Sequence, residues 1–190
     1  MESTERGAAS PYATGGGGTV LEHAYGAVLL AALLQRRPVL GLGDEFTPCE
    51  VRFQQAATCP VDDLVVIGDC PTGTRAIYIG VRRAPTIAAS DPAFVKLLID
   101  YLCMVLDRQA ELASDRARLG LAIAAPHTGA NEVAQLAFWA RRQPDNAAFR
   151  AVVDVPKQAR SAVRRRLGYL DDAVEAAAAR GAIPATGRSS

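Results

Sequence analysis

The chain has 190 residues, 49% of them hydrophobic and 22% charged, with a formal net charge of +1. That length suits one domain with additions rather than several, and the apolar fraction and balanced charge exclude an intrinsically disordered chain. The longest apolar run, Ala27 to Leu34, falls far short of the roughly 20 residues that span a bilayer, so no membrane segment is expected.

The opening residues are polar and carry Glu2 and Glu5, unlike a signal peptide, so a soluble cytoplasmic protein is expected. Residues 1–18 end in four glycines, Gly15 to Gly18, and read as a flexible lead-in. From Thr19 to about Arg37 the pattern is helical, with Thr19 as N-cap and Pro38 as stop. Between Ala27 and Leu34 this helix is apolar on nearly every side, which predicts burial on more than one face. Three strands follow, at Glu50 to Gln54, Asp63 to Ile67 and Ala76 to Val81, separated by turn signals that include Pro60 and Pro71. Asp91-Pro92 opens a long amphipathic helix expected to reach about Leu112. Leu119 to Ala124 reads as a buried strand, and Asn131 to Arg142 as a helix ended by Pro144. A short helix at Asn146 to Val153 and a long one from Lys157 to Arg180 precede a Gly/Pro/Ser tail. The order implies an α/β domain, a mixed sheet with helices on both sides and a helical C-terminal extension. Its expected parts are the lead-in 1–18, the α/β domain 19–155, a basic helix 156–180 and a tail or linker 181–190.

Charge and residue usage restrict the chemistry. There are 19 Arg but only two Lys, Lys96 and Lys157, a skew that a GC-rich genome produces before any function does. Residues 1–140 carry net −4 and residues 141–190 net +5, with Arg164, Arg165 and Arg166 consecutive; that cluster suits either a phosphate partner or a solvated helix face. Cys49, Cys59, Cys70 and Cys103 form no C-x-x-C pair and are expected as free thiols, and a structural zinc site is not expected. His23 and His127 read as a helix-surface and a loop residue. No G-x-x-x-x-G-K-[ST] run is present, so the chain is not itself a P-loop NTPase.

Three features suggest a site. Glu22 shares a helical stripe with Gly26, Leu29 and Leu33, so it is either a first-turn anion or a carboxylate beside a buried column. Asp62 and Asp63 precede Leu64-Val65-Val66-Ile67 and either serve the turn or bind a divalent ion. On the third strand Ala76, Tyr78, Gly80 and Arg82 share one face, with Arg83 next.

Together, Gly15 to Gly26, Val61 to Val66 and Ile79 to Pro85 resemble the PD-(D/E)xK nuclease superfamily. More narrowly they are similar to the N-terminal double-stranded-DNA endonuclease domains of bacterial antiphage effectors, including those fused to STAND-type NTPases. The resemblance covers about residues 15–155 and implies a restriction-endonuclease-like fold. It implies Glu22, Asp63 and alternatively Asp62 as ligands of Mg²⁺ or Mn²⁺, with Arg82 in the place of the family's lysine. Arg83 and Arg164 to Arg166 would meet the double-stranded DNA. The third motif departs from the family pattern: Gly80 stands where an acid or amide belongs, and Arg82 stabilises charge but cannot act as a base. Two readings follow: a metal-dependent endodeoxyribonuclease with a reduced ligand set, or an inactive nuclease-fold module for nucleic-acid binding, oligomerisation or regulation. The resemblance also implies an NTPase sensor module, in the same or another chain, and a homo-oligomer.

Overall fold

The computed structural model describes residues 17–39, 41–42, 45–54, 60–61, 63–124, 128–155 and 161–182. Helix α1 spans Gly17–Gln35 and is followed by β1 (Thr47–Phe53), β2 (Leu64–Cys70) and β3 (Gly73–Arg82). Strands β1 and β2 pair antiparallel, as do β2 and β3. Cys70 faces Gly73 across a two-residue loop, and Gly73 takes a positive φ of 114° that a side chain would resist. Helices α2 (Pro92–Asp107) and α3 (Gln109–Ala113) then cross over to β4 (Ala117–Ile123), which lies parallel to β3. Sheet order is β1-β2-β3-β4.

Period-2 alternation sorts the strands into two cores. Leu64, Val66, Ile77, Ile79 and Val81 face α1 and meet Leu29 and Phe46. Val65 and Tyr78 point the other way, onto Met104 and Tyr101 of α2. Helices α4 (Thr128–Ala140), α5 (Asn146–Asp154) and α6 (Ser161–Ala177) form a third group, and α6 continues into a π turn at Ala178–Ala182. Leu136, Val153, Val163 and Leu167 are its core. A bridge to the sheet domain is made by Ile87, Phe94 and Ala173. The molecule is thus an α/β fold, a four-stranded mixed sheet flanked by helices with a helical C-terminal region. Among the described residues no helix is long and apolar enough to cross a membrane.

Several boundaries differ from the sequence expectations. Helix α1 begins at Gly17, so Thr19 lies inside its first turn rather than capping it; helix ends shift by a residue or two according to where the first bond closes. It is buried on one face only, not several: Val28, Leu30 and Leu34 are exposed. Helix α2 stops at Asp107, where Arg108 leaves helical geometry with its guanidinium over the Tyr78 ring and paired to Glu111, and only then does α3 run on. Asp91 does cap α2, accepting from the amides of Ala93 and Phe94. It also accepts from Thr86 N–H, which pins the loop after β3.

The far end of the sheet is held by a charge cluster. Arg75, buried on β3, donates from Nε to the Asp115 carbonyl at 2.8 Å and from Nη2 to the Asp115 carboxylate. Arg118 donates to both oxygens of the same carboxylate. Its hydrogen bond and charge, reinforced by Arg75, hold the Asp115 carboxyl below the usual range against an opposing burial effect. A carboxyl lowered in the folded state contributes stability above its unfolded pKa of about 4, and that contribution disappears as pH falls through the lower folded value. Asp115→Asn should lower the melting temperature at neutral pH, because Arg75 stays buried without its countercharge. The gap to wild type should narrow as pH drops below about 4. Thermal unfolding followed by circular dichroism at a series of pH values checks this; a gap independent of pH would remove the linkage.

Candidate functional site at the end of the sheet

The register places Leu64 opposite Ile79, so Asp63, one residue before β2, is level with Gly80 and Val81. The carboxylate of Asp63 accepts from Val81 N–H at 2.6 Å and from Arg82 Nη1 at 2.6 Å, both on Oδ2. Arg82 Nη1 also donates to the Val81 carbonyl at 2.7 Å. Both side chains are partly exposed. A charge-assisted bond of this kind fixes the guanidinium at the sheet end while leaving part of it open to solvent.

Gly80 faces α2, and the space where a side chain would stand is occupied. A Cβ there would lie 2.8 Å from Leu97 Cδ1 and 2.8 Å from the Tyr101 hydroxyl oxygen. That hydroxyl donates to the Gly120 carbonyl at 2.5 Å, which locks α2 onto β4. Burial pushes the Tyr101 hydroxyl well above the usual phenol range, against lowering by a Gly80 backbone bond and by Arg82, so it stays protonated at neutral pH. Tyr101 shows in the sequence as one more member of the α2 apolar stripe. Its polar role was signalled only by its being the one phenol in an apolar column that also holds Phe94, Leu97 and Leu98.

Glu22 lies at the same end of the sheet but on the α1 layer. Gly26, one turn after it, packs so closely on the Phe53 ring at the end of β1 that a Cβ would overlap it. Further along, Leu33 and Arg36 line a pocket with Thr47 and Asp69, at the opposite end of those strands. The N-terminal part of α1 therefore points toward the end where Asp63 and Arg82 sit. Glu22 is buried, with its Oε1 sealed from solvent. The structure thus brings Asp63 and Arg82 into contact and brings Glu22 to the same sheet end from the opposite layer. Asp62 and His127 lie outside the described residues, as do Cys59 and Lys157. Among the described residues no group of three or more His, Cys, Asp or Glu is gathered to hold a metal ion.

The basic residues of α6 divide. Arg166 donates from Nε to Glu132 at 2.8 Å and from Nη1 to the Ile87 carbonyl at 3.0 Å, a largely buried pair. Ile87 is four residues beyond Arg83, so this bond tethers α6 beside the sheet end from which Arg82 and Arg83 emerge. Arg83 and Arg165 are exposed and Arg164 is half-buried. Exposed cations are consequently held on neighbouring elements by one internal arginine, a partner role that consecutive numbering does not reveal. His23 is exposed on α1, and Cys49, Cys70 and Cys103 are free.

Comparison with protein-family models, with curated proteins and with solved structures finds no match in any of the three.

The close packing at Gly80 has a measurable consequence. Gly80→Ala should destabilise by about 1–3 kcal/mol through overpacking. Tyr101→Phe removes the oxygen that the new methyl meets, so in a double-mutant cycle the two changes should couple favourably by about 0.5 kcal/mol or more. Additive losses in urea unfolding would show that the Tyr101 hydroxyl does not fill this space.

Proposed function

We propose that this domain is a nuclease-like module of a bacterial antiphage defence protein, and that it engages double-stranded DNA through the sheet-end arginines without cleaving it. The observation that carries the reading is the state of the third motif. Gly80 supplies no acid, the space beside it is filled by Leu97 and Tyr101, and Oδ2 of Asp63 is committed to the Val81 amide and the Arg82 guanidinium. With a guanidinium on the carboxylate, the arrangement suits a neutralised charge pair more than ligation of Mg²⁺ or Mn²⁺. Arg82, part-exposed, and Arg83, beside the tethered α6 with Arg164 and Arg165, offer positive charge to a phosphate backbone. The sequence resemblance supplies the partner, and with it a linked NTPase sensor module.

A second reading has its own support. Glu22 is buried at the sheet end that also holds Asp63, the placement expected if a divalent ion draws Arg82 aside and the domain hydrolyses phosphodiester bonds.

Two measurements separate these readings. Supercoiled plasmid incubated with Mg²⁺ or Mn²⁺ should remain intact, while binding of the full chain to duplex DNA should weaken as salt rises. Arg83→Ala and Arg165→Ala should each shrink the salt slope by about one phosphate contact. Cleavage that disappears in both Asp63→Ala and Glu22→Ala would overturn the binding reading in favour of the enzyme. Absence of both cleavage and salt-dependent binding would overturn each.

A further inference from the structure

A helix that is apolar on all sides is ordinarily enclosed on all sides, and α1 is not. Leu29 is fully buried against the sheet, yet Val28, about a quarter-turn round the helix, is 56% exposed, and Leu34, on the opposite side, 81%. At about 100° per residue, Val20, Ala24, Ala27, Ala31 and Leu34 fall within about 40° of a single line, directly opposite Leu29. All five are exposed. Their spacing of 4, 3, 4, 3 is the seam spacing of a helix that packs on another helix. Val28 and Leu30 widen the apolar band on either side, and exposed His23 and Gln35 form its polar rim.

We propose that the outer face of α1 is a self-association surface, on which two copies of this chain pair α1 against α1, antiparallel, about a two-fold axis near Ala27. This reading is independent of what the sheet-end site does.

The charges argue for a second copy rather than a different partner. Between Gly17 and Gln35 the one Asp, Glu, Lys or Arg is Glu22, and it is buried on the inner side. A two-fold contact sets each patch against itself, so a charge near its centre would meet its own like. An uncharged seam meets that requirement, whereas a face selected for a charged partner would carry complementary charges. Antiparallel pairing follows from the flanks. Arg36 and Arg37 are exposed just past the helix end; parallel helices would bring them together, while an antiparallel pair holds the two Arg36 residues about 27 Å apart along the axis at 1.5 Å per residue. Antiparallel dipoles also oppose. Small side chains at Ala24, Ala27 and Ala31 let the backbones approach closely, with Val20 and Leu34 filling the ends. One helix pair covers less than the usual protein interface of about 800 Å² per partner, so the dimer is weak and concentration-dependent. Tethering to a larger assembly would strengthen it through effective concentration.

Sedimentation equilibrium of the full 190-residue chain over a wide concentration range tests this, with Ala27→Glu and Ala27→Lys as exposed, helix-compatible variants. Wild type should dimerise with rising concentration. Each variant alone should self-associate at least about tenfold more weakly, with its melting temperature unchanged. An equimolar mixture of the two variants should recover dimerisation, because opposite charges then meet across the axis. Wild type that stays monomeric throughout overturns the proposal. So does a variant that associates as tightly as wild type, which would assign the contact to another surface such as the outer edge of β4, or a mixture that recovers nothing.

Discussion

Burial of β3 on both faces is the constraint from which the other positions follow. It pairs with β2 on one side and β4 on the other, and its alternate residues face α1 and α2. A strand so enclosed has no tolerance for unpaired backbone, which is why both neighbours are in full register along it. Gly80 is where this enclosure is tightest. Leu97 and Tyr101 of α2 converge there, and the Tyr101 hydroxyl reaches across to the Gly120 carbonyl of β4. The same contact that docks α2 onto β4 also occupies the space in which a side chain at position 80 would stand, so a structural need and the character of this sheet end are set by a single residue pair.

Charge is used in a comparable way. The excess of arginine in the C-terminal third suggests a nucleic-acid surface by composition, yet part of it is internal. Arg150 is bidentate to Asp171 at 2.6 Å on each side, joining α5 to α6, and Arg166 joins α6 to α4 and to the loop after β3. These pairs orient the helical region, while Arg83 and Arg165 stay exposed at the surface. Arginine suits such clamps because its fork satisfies two oxygens at once.

The two edges of the sheet are also unlike. β1 carries Pro48, a register break between Pro48 and Glu50, and an exposed Glu50–Arg52 pair, all features that discourage another strand from adding. β4 has none of these among its central residues, and its neighbour Tyr101 binds it from the face rather than covering the edge.

Periodicity and capping chemistry determined much of this protein in advance. The four strands, the Asp91 cap, the hairpin at Pro71 and the order of helices were all legible, because each depends on local spacing and turn residues. Proximity of Asp63 to Arg82 follows from the register of one hairpin, with Leu64 opposite Ile79. Tertiary structure decided what local rules do not encode. It assigned α1 a single buried face, since a helix apolar all round shows no preferred side. It spent Arg166 on Glu132, 34 residues away in sequence, and filled the space beside Gly80 with Tyr101, 21 residues on. Those outcomes depend on which surfaces meet after the chain crosses from β3 to β4, and contacts between distant residues leave no periodic trace in a single sequence.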